Sequence, residues 1–483
     1  MKIFTSMIVV LIAYSPGMAT VVNVPGDAAT IQAGIDASTN GDTVLVATGT
    51  YYENVIYNGK NVVVLSVDGA ENTIIDGSWN RAVVQFMNGE SRAAELNGFT
   101  IKNGTGEISL TNVESTFGGG ICMRYGSSPT LRDLIVTQNS ALGFEASGGG
   151  IGVSTGSEPL IEDVIITENV AYMGAGLFCY FSAPTIRNVT ISTNHATSSG
   201  GGAGFQTSKP VLEEILIYDN TAEDYAGGIW FYDKSEAVLN RVTIYGNSCS
   251  NNYGGGIWTL GQNTVYILNS VCWYNTPDQI ASYVSGVYAA GSIGVAYSNI
   301  QDVSTDLDLV KGELIFFSDN MQMDPGFVDP ANHDFNLDAG SSCLDAGTDF
   351  FVWGADTLIN IPEVGYIGVA PDMGALESVL TLSNDQISTH PEAMILSPNF
   401  PNPFNPSTQI SYTLDQPAIV SIDIYDIQGA LTKTLFSGWQ GAGSHFLEWN
   451  GSDQLGKQLN SGVYLYRLSS ADKMLTRTML LLR

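Results

Sequence analysis

One asparagine recurs through the middle of this chain, and its spacing limits the fold to a narrow class. Asn139, Asn169, Asn194, Asn220, Asn247 and Asn275 stand 30, 25, 26, 27 and 28 residues apart. Ten residues before the first four is a proline (Pro129, Pro159, Pro184, Pro210), replaced by Ala237 and Val265 in the last two units. Two residues after these come Leu131, Ile161, Ile186, Leu212, Leu239 and Ile267. Most units also hold a glycine cluster followed by an apolar residue, as in Gly118-Gly119-Gly120-Ile121 and Gly254-Gly255-Gly256-Ile257. A repeat of this length predicts a solenoid, in which each unit buries its apolar face only by stacking on its neighbours.

The apolar spacing inside a unit decides which solenoid. Ile186, Val189 and Ile191 in one unit, and Leu212, Ile215 and Ile217 in the next, are short runs rich in β-branched residues. Gly, Asn, Ser and Pro break them before any helical period develops. Three short strands joined by polar bends account for the unit length, which predicts a parallel β-helix with coils roughly 4.8 Å apart. Asparagine recurring at one bend then forms a ladder of stacked amides, a scaffold role.

The N-terminal part carries a family resemblance. Val24-Pro25-Gly26, the run from Ala29 to Ala37, Gly41-Asp42-Thr43-Val44-Leu45-Val46 and Gly49-Thr50-Tyr51 are similar to the opening of the pectin-lyase-like right-handed β-helix superfamily. Ile31 and Ile35 share one face of a short helix suited to capping the first coil. Asp324-Pro325-Gly326-Phe327, Ser342-Cys343-Leu344-Asp345-Ala346-Gly347 and Pro371-Asp372-Met373-Gly374-Ala375-Leu376-Glu377 resemble the distal end of bacterial surface β-helix proteins. The resemblance implies a right-handed solenoid over residues 20–378. It leaves activity open, because the superfamily holds lyases, hydrolases, esterases, epimerases and non-catalytic adhesins.

Both ends of the chain bear on location. Lys2 precedes the apolar run Ile8 to Ala13, and Gly17-Met18-Ala19 supplies small residues for cleavage, so 1–19 reads as a signal peptide. The run is too short to span a bilayer. A polar linker, 379–394, leads to alternating strands over 395–483, which predict a small immunoglobulin-like antiparallel β-sandwich. There Asn399-Phe400-Pro401-Asn402-Pro403-Phe404-Asn405-Pro406, Ile424-Tyr425-Asp426-Ile427-Gln428-Gly429, Trp449-Asn450-Gly451 and Ser461-Gly462-Val463-Tyr464-Leu465-Tyr466 resemble the type A C-terminal sorting domain of type IX secretion. That resemblance implies engagement of outer-membrane secretion machinery by 395–483, then a place at the cell surface or in the medium; the periplasm is the alternative. The chain ends on Arg483 where many members of that family end on Lys, which keeps the terminal charge positive.

Charge and cysteines narrow the partners. Acidic residues outnumber basic ones 48 to 18, a formal charge of −30. This argues against nucleic acid, and against electrostatic capture of acidic polysaccharides unless divalent cations bridge the two. Cys122, Cys179, Cys249, Cys272 and Cys343 do not form a disulfide framework. Cys122 and Cys179 sit near equivalent points of coils two apart, about 10 Å and too far for a bond. An odd count leaves at least one thiol free or intermolecular, and no zinc spacing is present.

No catalytic signature is legible. None of the four histidines lies in a His-Gly motif of the polygalacturonase kind. The nearest constellation is Asp133 and Asp163, at one repeat position on adjacent coils, with Arg132 and Arg187 close by. The column beside them reads Arg132, Glu162, Arg187, Glu213, alternating in sign as a cross-strand ion-pair ladder does. Ca²⁺ is the one cofactor to consider, with oxygen ligands in the stretches Asp302, Asp306, Asp308 and Asp324, Asp329, Asp334, Asp338; neither fits an EF-hand.

The clearer surface signal is aromatic. If Leu177, Ile229 and Ile257 point inward, the period of two sends Phe178, Tyr180, Trp230, Tyr232 and Trp258 outward. Such a row either packs along itself or serves contact, and flat aromatic faces suit sugar rings. The expectation is an exported β-helix protein that binds a polysaccharide or cell-surface glycan without cleaving it. A polysaccharide lyase or glycoside hydrolase, and a passive envelope component, are the alternatives.

Overall fold

A computed structural model describes residues 19–108, 115–141, 143–250, 253–283, 291–301, 307–310, 313–362, 365–378 and most of 394–481. Residues 1–18, within the expected signal peptide 1–19, and residues 379–393 of the expected linker lie outside the described residues. The chain divides into two compact units, 1–380 and 381–483.

The first unit is a right-handed parallel β-helix. Its coils contribute to three sheets: one of 17 strands, one of ten, and one of four (Val170–Met173, His195–Ser199, Thr221–Ala222, Ser248–Cys249). Pairing between coils holds its register, so equal positions stack. Leu131, Ile161, Ile186, Leu212, Leu239 and Ile267 follow one another up the 17-stranded sheet. Ile121, Ile151, Leu177, Ala203, Ile229 and Ile257 do so up the ten-stranded sheet. All face the interior without solvent exposure, each large side chain contributing about 2 kcal/mol of hydrophobic stabilisation.

A left-handed residue explains the uneven apolar spacing. Asp133, Asp163, Asn188, Glu214, Arg241 and Asn269 all have φ between 49° and 58°, and the ladder pairs skip that position, running from Arg132↔Glu162 to Leu134↔Val164. The flip resets the alternation, so Ile186 is followed inward by Val189 rather than by Asn188. Asp and Asn tolerate this conformation better than most residues, and they occupy four of the six places named.

The asparagine column runs unbroken inside the bend. Nδ2 of Asn139, Asn169, Asn194, Asn220 and Asn247 each donates to Oδ1 of the next asparagine, at 2.9–3.1 Å. The same oxygen also accepts the backbone N–H of the asparagine below. Each amide thereby satisfies backbone groups that the bend would otherwise bury unpaired. At the top Asn275 turns to Gln279 of its own coil instead, Nδ2 to Oε1 at 2.7 Å.

The first coil is capped. The helix Ile31–Ala37 lays Ile31 and Ile35 over the first coil. Thr30 caps it, and the Glu53 carboxylate accepts the N–H groups of Ile31 and Gln32. Gly34 lets the helix approach Val44, since a Cβ there would stand 2.7 Å from a valine methyl. Residues 365–378 pack back on the side of the 17-stranded sheet. Arg241 donates to Gly365 O and pairs with Glu214, while Ala375 N–H reaches Thr243 Oγ1.

The second unit is antiparallel, in sheets of three and four strands around Trp449, Tyr412, Tyr466 and Phe404. Trp449 Nε1 donates to Ser452 O at 2.9 Å, so its buried N–H is satisfied. Asn402 Oδ1 accepts Leu480 N–H, and Phe404 N–H donates to Leu480 O, which ties the start of the unit to its last strand.

Candidate functional site

The ten-stranded sheet turns alternate residues outward, and these line a groove. Gly152, Phe178, Gly204, Trp230 and Trp258 form one outward column; Ser154, Tyr180, Gln206, Tyr232 and Leu260 form the next. Glycines flank Phe178 in this column because the rings need the room: a Cβ on Gly152 would stand 2.5 Å from Phe117, and one on Gly204 2.9 Å from Phe178. Arg124 follows Met123, which pairs with Val153, and so stands beside Ser154 at the lower end.

The opposite wall comes from the four-stranded sheet and the residues flanking it. Phe117, Phe144, Glu145, Tyr172, Met173, Ser198, Ser199 and Tyr225 complete a space of ≈ 580 Å³ over the two outward columns. Tyr225 stacks on Trp258 with centroids 4.3 Å apart, and Tyr232 stacks on Trp230 at 5.3 Å. Trp230 and Trp258 stack on each other. The three outward rings Phe178, Trp230 and Trp258 are therefore only 4, 7 and 5 % exposed. They form a packed floor rather than an open platform, while Tyr180 and Tyr232 remain half-buried at the rim.

Polar groups converge on this floor. Among the described residues the buried side-chain atoms without a hydrogen-bond partner include Arg124 Nε, Ser154 Oγ, Trp230 Nε1 and Trp258 Nε1, all on residues lining the groove. Arg124 lies over the Phe117 ring, Cζ 4.8 Å from its centroid, and donates from Nη1 to Ile108 O at 2.8 Å. An aromatic floor with scattered donors and hydroxyls suits a polar ligand with apolar faces.

The acidic pair lies elsewhere. Asp133 and Asp163 line a shallower hollow of ≈ 370 Å³ with Glu71 on the outside of the 17-stranded sheet. Burial and the neighbouring Asp163 charge push the Asp133 carboxyl above its usual range. Asp163 accepts from Asn188 Nδ2 at 2.6 Å. Arg132 and Arg187 turn away into the charge column: Arg132 pairs with Glu162 at 2.7 Å, and Arg187 with Glu213 at 2.9 Å.

Asp302 and Asp306, and the side chain of Asp308, lie outside the described residues. Asp324, Asp334 and Asp338 accept N–H groups of their own turns, and Asp329 accepts from Asn332. Among the described residues no three acidic, histidine or cysteine side chains converge as a metal site. None of the five cysteines forms a disulfide. Cys122 and Cys179 are offset by one position, so one faces outward and the other inward.

Fold and groove together define a parallel β-helix with an aromatic-floored cleft on one outer sheet. Residues 33–211 and 97–272 match the family described as right handed beta helix region, and residues 404–473 match the FlgD Ig-like domain. Curated proteins give no match. Among solved structures, pectin methylesterase from carrot shares 14% identity over 62% of this chain and 88% of its own, with a TM-score of 0.32. The dimeric latent PorU of Porphyromonas gingivalis shares 20% identity over 20% of this chain, with a TM-score of 0.17. This chain spans 10% of the PorU chain.

Proposed function

We propose that this is an exported, non-catalytic glycan-binding protein whose ligand lies in the groove on the ten-stranded sheet. The groove itself carries the reading: an aromatic floor, hydroxyl and amide groups of Tyr180, Ser154 and Gln206 along one side, and serines 198 and 199 on the other. Sugars offer C–H faces to aromatic rings and hydroxyls to such groups. Export follows from the apolar run at the N terminus, and the C-terminal unit acts as the type IX sorting signal that its motifs resemble. Cell-surface or extracellular adhesion is the role this combination serves.

Calorimetric titration of the full chain with neutral and acidic oligosaccharides tests the reading. Binding that is weakened by Tyr180→Ala supports it, and no binding across the panel rejects it.

A cleaving enzyme is the second reading, favoured by the raised Asp133 carboxyl in the hollow beside Asp163. A carboxyl whose protonated form is favoured by burial and a neighbouring like charge has the character of a general acid. New reducing ends or unsaturated uronates from a polysaccharide, lost in Asp133→Asn, would establish it.

A further inference from the structure

The lower end of the groove holds a cation that no carboxylate among the described residues pairs with. Arg124 is 3 % exposed. Among the described residues it pairs with no carboxylate; its contacts are the Phe117 ring and one donation to Ile108 O. The nearby Glu107 is committed to Arg81, Gln85 and the Ala82 N–H. Every other buried or half-buried arginine discussed above has a carboxylate: Arg241 has Glu214, Arg132 has Glu162, Arg187 has Glu213. A desolvated guanidinium is costly unless paired, and its planar fork matches carboxylate or sulfate oxygens.

We propose that Arg124 makes this end of the groove an oxyanion subsite, which receives one carboxylate or sulfate group carried at the end of an otherwise neutral oligosaccharide. The inference rests on the glycan-binding reading and adds ligand chemistry and direction to it. Its two halves come from different observations. The unpaired Arg124 calls for one negative group, and Ser154 beside it, with an unpartnered Oγ, offers a further hydrogen bond. The formal charge of −30 repels a polyanion at long range, so a chain acidic at every residue is disfavoured. From Arg124 the ligand runs parallel to the solenoid axis toward Trp258. The columns rise through Ser154, Tyr180, Gln206 and Tyr232, one coil at a time and about 4.8 Å per coil, room for a few sugar units.

The experiment titrates the full chain with matched oligosaccharides that differ only at one end: a terminal uronate, its methyl ester, a terminal sulfate and the unsulfated parent. A polyuronate of equal length is included. The expected result is at least tenfold tighter binding of one acidic form than of its neutral partner. The carboxylate and sulfate arms tell which oxyanion is used. Arg124→Gln should remove that difference, and Arg124→Lys should keep part of it. Circular dichroism and thermal unfolding establish that each variant is folded, and the comparison within the unaltered protein stands even if a variant is not. Equal binding of acidic and neutral partners overturns the oxyanion subsite and leaves glycan binding intact. Tightest binding of the polyuronate overturns the single-charge ligand. Binding of no oligosaccharide overturns both this inference and the reading beneath it.

Discussion

Trp230 and Trp258 pair in register on adjacent coils, their ring centroids 6.4 Å apart and their planes 13° from parallel. Stacking consumes the faces that an exposed tryptophan would offer, because Tyr232 and Tyr225 cover further ring surface. The pair is thus structural first, and contributes to recognition by shaping the floor.

Trp258→Ala should accordingly cost about 3 kcal/mol of stability, in the range for removing a buried aromatic side chain. Tyr180→Ala, at the rim, should cost less than about 1 kcal/mol while weakening glycan binding severalfold. Denaturant unfolding read alongside calorimetry separates the two effects.

The asparagine ladder should be intolerant at its centre. Asn220 is fully buried, donates to Ile191 O, Tyr218 O and Asn247 Oδ1, and accepts from Asn194. Asn220→Ala strands several of these groups, so a loss of about 3 kcal/mol or more is expected at 1–3 kcal/mol per unsatisfied group. Asn220→Asp keeps the shape but puts acceptors where two carbonyls need donors, and should be worse. Urea midpoints of the two variants give the order.

Thiol chemistry should sort the cysteines by burial. Desolvation pushes Cys122 and Cys272 up to about 12 and raises Cys179 and Cys343 as well. Cys249 is also raised, yet is only partly buried. With iodoacetamide at pH 8 the native protein should be modified at Cys249 first, and at all five sites only in denaturant. Peptide mass mapping over time reads this directly, and early labelling of Cys272 would contradict the burial.

Acid should loosen the first coil early. Asp42 accepts from Thr20 N–H, Thr39 N–H and Thr39 Oγ1, and these bonds hold its carboxyl well below the usual range. A carboxyl depressed on folding stabilises the native state above its unfolded pKa of about 3.9, and that contribution fades as pH falls through the folded value. Thermal midpoints should therefore drop below about pH 4, and Asp42→Asn should flatten that part of the curve. Hydrogen exchange at Thr20 and Thr39 localises the change.

The interior was readable because repetition multiplies one weak pattern. Leu131, Ile161 and Ile186 fall into place once Asn139, Asn169 and Asn194 are aligned. The three-then-two spacing of Ile186, Val189 and Ile191 was visible too, but its cause, the left-handed residue at Asn188, was not. The outward direction of Phe178, Trp230 and Trp258 followed from the period of two, whereas their coverage did not. Their cover comes from Phe117, Tyr225 and Tyr232, of which Phe117 and Tyr225 lie beyond connections whose length changes from coil to coil. Arg124 could have been found by carrying the column of Tyr232 and Tyr180 two coils further down, since strand register stays fixed where bend register does not.

The closing of the asparagine column on Gln279 marks where one kind of stacking stops while the coils go on. A stack of amides is a template: its last member offers the same unsatisfied atoms that recruited the one before, and any chain with a matching bend could continue the series. Asn275 meets Gln279 Oε1, and Gln279 Nε2 returns to Asn275 O, so the terminal rung is spent within its own coil. The amide column thus ends inside the solenoid, where Val271 and Cys272 of the same coil still pair with Asn299 and Ile300 of the next, so the stack of coils outlasts its ladder.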